Sequence, residues 1–260
     1  MLEVAIVTAL AGAVLPPLVI LWIVYHHDVF PEPPQVVWTC FLLGMAILVP
    51  VVIVAGPTML IGQKLLTGSD PWVLGFLAAF FGAAIPEEFF KFLVLRFYAA
   101  AHRAFNEPMD GIVYGVAVSL GFATLENILY AVALGFSLLV VGLRAITAIP
   151  MHAALGAIMG WYVSRWRFRP YGRIRSLLAA LVVPMILHGL YDWPLLSLSE
   201  MEDSPEPNLL LILASLVLPF VLLFVMVRRV YRMMRQMREV QARHQAAGGI
   251  EGRRSDGTPL

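Results

Sequence analysis

The stretch Ala84-Ile85-Pro86-Glu87-Glu88-Phe89-Phe90-Lys91 decides how this chain is read. It sets two adjacent carboxylates and an ammonium inside an apolar run extending from about residue 71 to 101. Roughly 20 apolar residues cross about 30 Å of hydrocarbon, so a run of this length spans a bilayer. A charge at that depth costs at least about 2.5–3.5 kcal/mol on insertion scales, so it points to function.

Six further apolar runs surround this one, at about 4–25, 36–62, 110–135, 137–164, 176–198 and 208–230. They predict an all-α, polytopic transmembrane helical bundle of about seven spans (seven to eight). Composition agrees: of 260 residues, 60% are hydrophobic and 13% charged, against about a quarter charged in soluble domains. The mean hydropathy of +0.82 comes from long charge-free runs, which excludes a soluble globular domain. Residues 1–240 read as one transmembrane helical domain, and residues 241–260 as a polar, Gly-rich, disordered tail. The first run reads as a span and not as a cleavable signal, because Met1-Leu2-Glu3 lacks a basic segment and the run continues to about Tyr25.

Arginines flank the spans instead of lining one face of a soluble fold, which argues against a nucleic-acid partner and makes lipid the expected surroundings. The loop with Arg165, Arg167, Arg169, Arg173 and Arg175 and the segment with Arg228, Arg229, Arg232, Arg235 and Arg238 are expected on the cytoplasmic side. The acidic loop Glu200–Glu206 then faces outward, the N-terminus lies outside and the C-terminus is cytoplasmic. Cys40 is the single cysteine and cannot form an internal disulfide. Gly111/Gly115 and Gly156/Gly160 are small-xxx-small pairs that read as close helix contacts.

Four spans carry ionisable residues. Glu87 and Lys91 are i,i+4 and share a helix face, so Lys91 is expected to hold Glu87 ionised while Glu88 points elsewhere. A buried pair that only fixes helix packing would account for one Glu and the Lys, but gives no reason for the second Glu. Glu126, followed by Asn127, has no basic residue within helical reach, so its partner is expected from another helix. His152 follows Pro150, and His188 and Asp192 again stand i,i+4. A lone intramembrane His is more often a packing hydrogen-bonder than a catalyst. Here Glu87, Glu126, His152 and His188 fall at a common depth, roughly 18–24 Å from one side at 1.5 Å per helical residue.

Peptide hydrolysis needs an activated water, a proton donor for the leaving amine and stabilisation of an oxyanion. Glu and His can supply the first two, and His or Asn the third. No serine stands with a His/Asp pair on its own helix, and Cys40 is remote, so covalent catalysis is disfavoured. A His-Glu-x-x-His motif is absent, yet His152, His188, Glu126 and Asp192 would make an acceptable Zn²⁺ ligand set. No cofactor is assigned, and carboxylate-activated and metal-activated water both stay open. The catalytic candidates are Glu87, Glu88, Glu126, His152 and His188, supported by Lys91, Asn127 and Asp192.

These segments resemble the PrsW family of intramembrane proteases: Glu87-Glu88-x-x-Lys91, Asp110-Gly111-Ile112-Val113-Tyr114-Gly115, Gly121-Phe122-Ala123-Thr124-Leu125-Glu126-Asn127, His152 and His188-Gly189-Leu190-Tyr191-Asp192. Pro31-Glu32-Pro33 also matches an acidic, proline-rich element common there. The family is distantly similar to the CAAX-processing membrane proteases. That likeness implies Glu87 as the water-activating base, Glu126 at the position of a second activating residue, and His188 with Asp192 as the oxyanion-side pair. Glu126 stands where those enzymes have His, and Asp192 where they have Asn. The resemblance further implies a bacterial cell membrane and a membrane-anchored protein substrate such as an anti-sigma factor. A proton-coupled transporter is the competing reading, since buried carboxylates and histidines also build proton relays. No inverted repeat supports it.

Overall fold

Three of the spans are jointed, and a proline stands at each joint. The computed structural model describes residues 2–169, 171–201 and 208–246. The second span divides into α2 (Pro34–Ala46) and α3 (Leu48–Leu65), with Pro50 just beyond the joint. The fifth divides into α7 (Leu138–Ile146) and α8 (Ala148–Phe168), with Pro150 in the same relation. A proline lacks the N–H that would bond the carbonyl four residues back, and its ring clashes with that carbonyl. Four residues before Pro50 and Pro150 stand Ala46 and Ile146, the last residues of α2 and α7. In the third span a short α4 (Pro71–Leu77) runs into a π-helical segment, Ala78–Ala84, and then α5 (Ile85–Phe97) begins with Pro86 in its first turn. A π segment inside an α-helix is frequent at functional sites, and this one leads directly into Glu87 and Glu88.

The unjointed spans are α1 (Leu2–His27), α6 (Pro108–Ala133), α9 (Arg173–Ser199) and α10 (Leu209–Ala246). Among the described residues there is no strand, and seven helical segments are long and apolar enough to cross a membrane. The chain is a multi-pass integral membrane protein. The segments Glu3–His27, Pro34–Leu65, Pro71–Ala101, Pro108–Ala133, Leu138–Phe168, Arg173–Ser199 and Leu209–Arg243 follow the predicted runs within a few residues, save at the end of the last.

α6 is the central helix. In its most apolar window 78% of residues are buried, against 22% in α1 and α10, whose large apolar side chains face outward as lipid requires. Gly111 and Gly115 of α6 face Gly160 and Gly156 of α8, and a Cβ on any of the four would collide with the opposite backbone. Gly44 and Gly121 give α2 and α6 the same close approach. Small residues let the backbones meet where lipid supplies no hydrophobic drive between helices.

α10 corrects one expectation. It continues as a helix through Gln241 to Ala246, so the first residues assigned to a disordered tail are helical, and Gln241 among them is buried. Residues 247–260 of that tail, and nearly all of the acidic loop Glu200–Glu206, lie outside the described residues.

Candidate active site

The first helical turns of α5 place Glu87, Glu88 and Lys91 together. Lys91 Nζ donates to Glu87 Oε2 at 3.1 Å and to Glu88 Oε1 at 2.8 Å. Positions i,i+3 share a helix face as i,i+4 do, so Glu88 does not point elsewhere but joins the same ammonium. Lys91 Nζ also lies 3.1 Å from His152 Nδ1 on α8 and 4.2 Å from the ring centroid of Phe122 on α6.

α9 adds the other imidazole. His188 Nδ1 is 3.0 Å from Glu88 Oε1, and its Nε2 is 3.0 Å from Asp192 Oδ2 and 3.9 Å from Glu87 Oε2. Both ring nitrogens therefore face carboxylate oxygens, which suits a ring that donates from each. The rings of His152 and His188 meet edge to face, 5.2 Å between centroids. Gly189, next in sequence, packs so closely on Phe80 of the π segment that a side chain there would strike the ring.

α6 and α7 close the remaining side. His152 Nε2 lies 3.2 Å from Glu126 Oε2, and Arg144 Nη2 donates to the same oxygen at 2.6 Å. Arg144 Nε donates to Asn127 Oδ1 at 2.7 Å, while Asn127 Nδ2 donates to the Ala123 carbonyl at 2.6 Å. One guanidinium thus fixes two consecutive residues of α6. The site is sealed on one side and open on the other: Glu87, Glu88, Lys91, His152 and His188 are buried, whereas the side chains of Glu126, Arg144 and Asp192 are 16%, 20% and 21% exposed.

Arg144 was not among the residues singled out from sequence. It supplies the partner from another helix that Glu126 requires, and it is the lone Lys or Arg between Lys91-bearing α5 and α8's terminal Arg165 that falls within an apolar run. The signal was present, because an arginine within an apolar run carries the same penalty as the glutamates.

Ligand-capable atoms of Glu87, Glu88, His152 and His188 lie within 4.8 Å of one another. Two imidazoles and two carboxylates are donors that tetrahedral Zn²⁺ accepts, and Glu88 Oε2 is buried without a hydrogen-bond partner. In donor type and spacing these residues fit such a metal. Lys91 is the competing cation, already in contact with three of the four side chains. Glu126 and Asp192, expected with His152 and His188 as a ligand set, stand outside this group, and each approaches one of its imidazoles.

Two carboxylates, two imidazoles and a compensating ammonium from three separate spans form the polar interior of a membrane bundle, and residues 32–227 match the family described as PrsW family intramembrane metalloprotease. The chain belongs to the PrsW family. Curated relatives named Protease PrsW agree. That of Geobacillus kaustophilus is 36% identical over 189 residues, 72% of this chain and 80% of the relative. That of Bacillus subtilis is 35% identical over 193 residues, 74% and 84% of the two chains. That of Oceanobacillus iheyensis is 32% identical over 203 residues, 78% and 90%. No solved structure matches the chain. The chain is therefore an intramembrane protease, a peptide hydrolase acting on protein within a membrane, and the transporter reading gives way to the family assignment.

Proposed function

We propose that this PrsW-family protease cleaves a membrane-anchored protein, a single-span substrate of the anti-sigma-factor kind, using water activated by Glu87. The observation that carries the reading is the pairing of Glu87 and Glu88 through Lys91 against two imidazoles, all sealed within the spans. In this scheme Glu87 takes a proton from water as the oxygen attacks the scissile carbonyl, and returns a proton to the departing amine. His188 keeps Nδ1 on Glu88 and turns its Nε2–H from Asp192 to the oxyanion as a donor, a task worth about 10²–10³-fold for a single well-placed group. Glu88 and Lys91 position Glu87 and balance its charge. Glu126, Arg144 and Asp192 form the partly open side through which a substrate span would reach the site, and the buried His152 and Asn127 hold Glu126 and Arg144 in place there. The arginine-rich end of the bundle faces the cytoplasm in this proposal.

The second reading rests on the four donor atoms gathered within 4.8 Å. Glu87, Glu88, His152 and His188 are the residues that would hold a divalent metal, whose contribution would be to polarise the carbonyl and make bound water more acidic. Lys91 would then give up its contacts with Glu87, Glu88 and His152.

Glu87→Gln keeps the shape and hydrogen-bonding capacity of the side chain but removes the base. Cleavage of a single-span reporter should fall by about 10²–10⁴-fold, with unchanged membrane yield and thermal unfolding. A Glu87→Gln protein that still cuts at the parental rate would reject the proposed role. Metal content of the purified, active protein separates the two readings, because one firmly bound zinc per active chain supports the metal reading and full activity without metal supports the carboxylate one.

A further inference from the structure

A second group of acids lies about sixteen residues along α6 from Glu126, roughly 24 Å at 1.5 Å per residue, at the arginine-rich end of the bundle. Carboxylate oxygens of Asp28, Glu32 and Asp110 all lie within 4.8 Å of one another, and all three residues are buried. They come from the α1–α2 connection and from the first turn of α6. Glu107, immediately before α6, adjoins them through Gln241, whose Nε2 donates to both Asp28 Oδ1 and Glu107 Oε1.

Hydrogen bonds account for only part of this group. Asp110 Oδ2 accepts the backbone N–H groups of Asn106 at 2.6 Å and Glu107 at 2.8 Å, which caps α6. Asp28 Oδ1 accepts from Phe30 N at 3.1 Å and from Gln241 Nε2 at 2.8 Å. Tyr114 donates its hydroxyl to Glu32. The second oxygens, Asp28 Oδ2 and Asp110 Oδ1, are sealed from solvent and receive no N–H or hydroxyl donor. Beyond the donors to their first oxygens, these residues, 5% and 0% exposed, stand within hydrogen-bonding reach only of other carboxyls, Glu107 beside Asp28 and Glu32 beside Asp110. A buried carboxylate oxygen without a partner is costly. Among the described residues, moreover, none of the four acids has an ion-pair partner.

We infer that Asp28, Glu32 and Asp110 form a binding site for a hard divalent cation, Ca²⁺ or Mg²⁺, separate from the intramembrane cluster. The donors are all oxygen, which favours these ions over zinc. Ca²⁺ takes oxygens at about 2.3–2.6 Å, so opposite ligands of one ion stand about 4.8 Å apart, and oxygens within 4.8 Å of one another can share it. Glu107 and Gln241, which adjoin the group, line a cavity of about 510 Å³ that also borders Phe30, Asn106, Arg165 and Arg169, so a cation would reach the three acids past these two residues. Burial also pushes the carboxyls upward, Glu32 to about 7 and Glu107 to about 8, with Asp28 raised for the same reason. Protons are therefore the rival occupant. The cation would tie the α1–α2 connection, the start of α6 and the end of α10 together, since Gln241 reaches the group from α10.

The test uses the full chain in detergent, stripped with a chelator, and titrated with Ca²⁺ or Mg²⁺ while thermal unfolding and bound cation are measured. One saturable equivalent per chain and a rising unfolding temperature are expected. Asp28→Asn retains an oxygen for Phe30 and Gln241, and should lose more than about tenfold in cation affinity. Glu32→Gln, a second variant that leaves the helix cap alone, should do the same. Parental protein that binds no cation at millimolar concentration overturns the inference, as does binding undisturbed in both variants. So does a cation-insensitive protein whose stability falls as pH rises from about 4.5 through about 8, because groups with raised folded-state values favour folding while protonated and lose that contribution as they ionise.

Discussion

The intramembrane cluster and the acid group at the arginine-rich end use the same ingredient, buried carboxylates, and handle it in opposite ways. In the first, Lys91 answers Glu87 and Glu88, Arg144 answers Glu126, and His188 stands between Glu88 and Asp192. In the second, Asp28, Glu32, Glu107 and Asp110 meet backbone N–H groups, a tyrosine and a glutamine, and among the described residues no side-chain cation. The chain carries its own counter-charges where water and ions are scarce. At the bundle end, where a cavity opens beside the group, the counter-charge can come from solution. The difference follows from the cost of an uncompensated charge, which is highest in hydrocarbon.

Removing a built-in cation should be the most damaging change. Lys91→Met leaves Glu87 and Glu88 buried without their counter-charge and should cost about 3–5 kcal/mol, read as a lowered unfolding midpoint in detergent. A Lys91→Met protein as stable as the parent would show that the two clusters do not differ as described. Arg144→Gln should come next. Glu126 and Asn127 lose their common tether, and a shift of about 1 Å in residues that position the substrate can cost on the order of 10²-fold in rate. Reporter turnover should fall well before stability does, and Arg144→Lys should restore only part of it, because an ammonium cannot reproduce the fork that spans both residues. Turnover equal to the parent in Arg144→Gln would remove Arg144 from the site. Glu32→Gln in chelated protein should change stability least, within about 1 kcal/mol, since Gln still accepts from Tyr114 and one source of repulsion is gone. A large loss there would mean that the charge of Glu32 is itself needed without a cation.

Much of the fold was legible because a membrane imposes a length and a polarity on each helix. All but the last of the predicted runs end within a few residues of the observed spans, and Pro86 and Pro150, visible in the sequence, stand at two departures from a straight helix. Legibility declined where spans end in polar helix. The last apolar run ends at about residue 230 and a polar tail is expected from 241, yet α10 runs through both, and Gln241 is held by partners far away in sequence. The intramembrane residues could be named because each is expensive at its depth. Their pairing could not: Glu88 is expected to point away from Lys91 yet joins it at i,i+3, and only α8 and α9 bring His152 to the ammonium and His188 to the Glu88 oxygen that the ammonium also holds. Arg144 hid because its partners stand 17 and 18 residues away across a turn. That turn has left-handed backbone at Gly135 (φ 63°) and Phe136 (φ 60°), and it carries α7 back toward α6.

By itself the sequence determined that this chain spans a membrane, about how many times, and which few side chains are too costly there to be incidental. Transfer free energy acts residue by residue and needs no knowledge of neighbours. Only the tertiary structure decided which charge answers which, that Lys91 sits among the candidate metal donors, and that Asp28, Glu32 and Asp110 converge at the end of the bundle. Those facts depend on distances between helices, set by glycine contacts such as Gly115 on Gly156 and by the joints at Pro50, Pro86 and Pro150. An electrostatic partner is chosen by proximity in space, and a linear pattern of residues does not contain it.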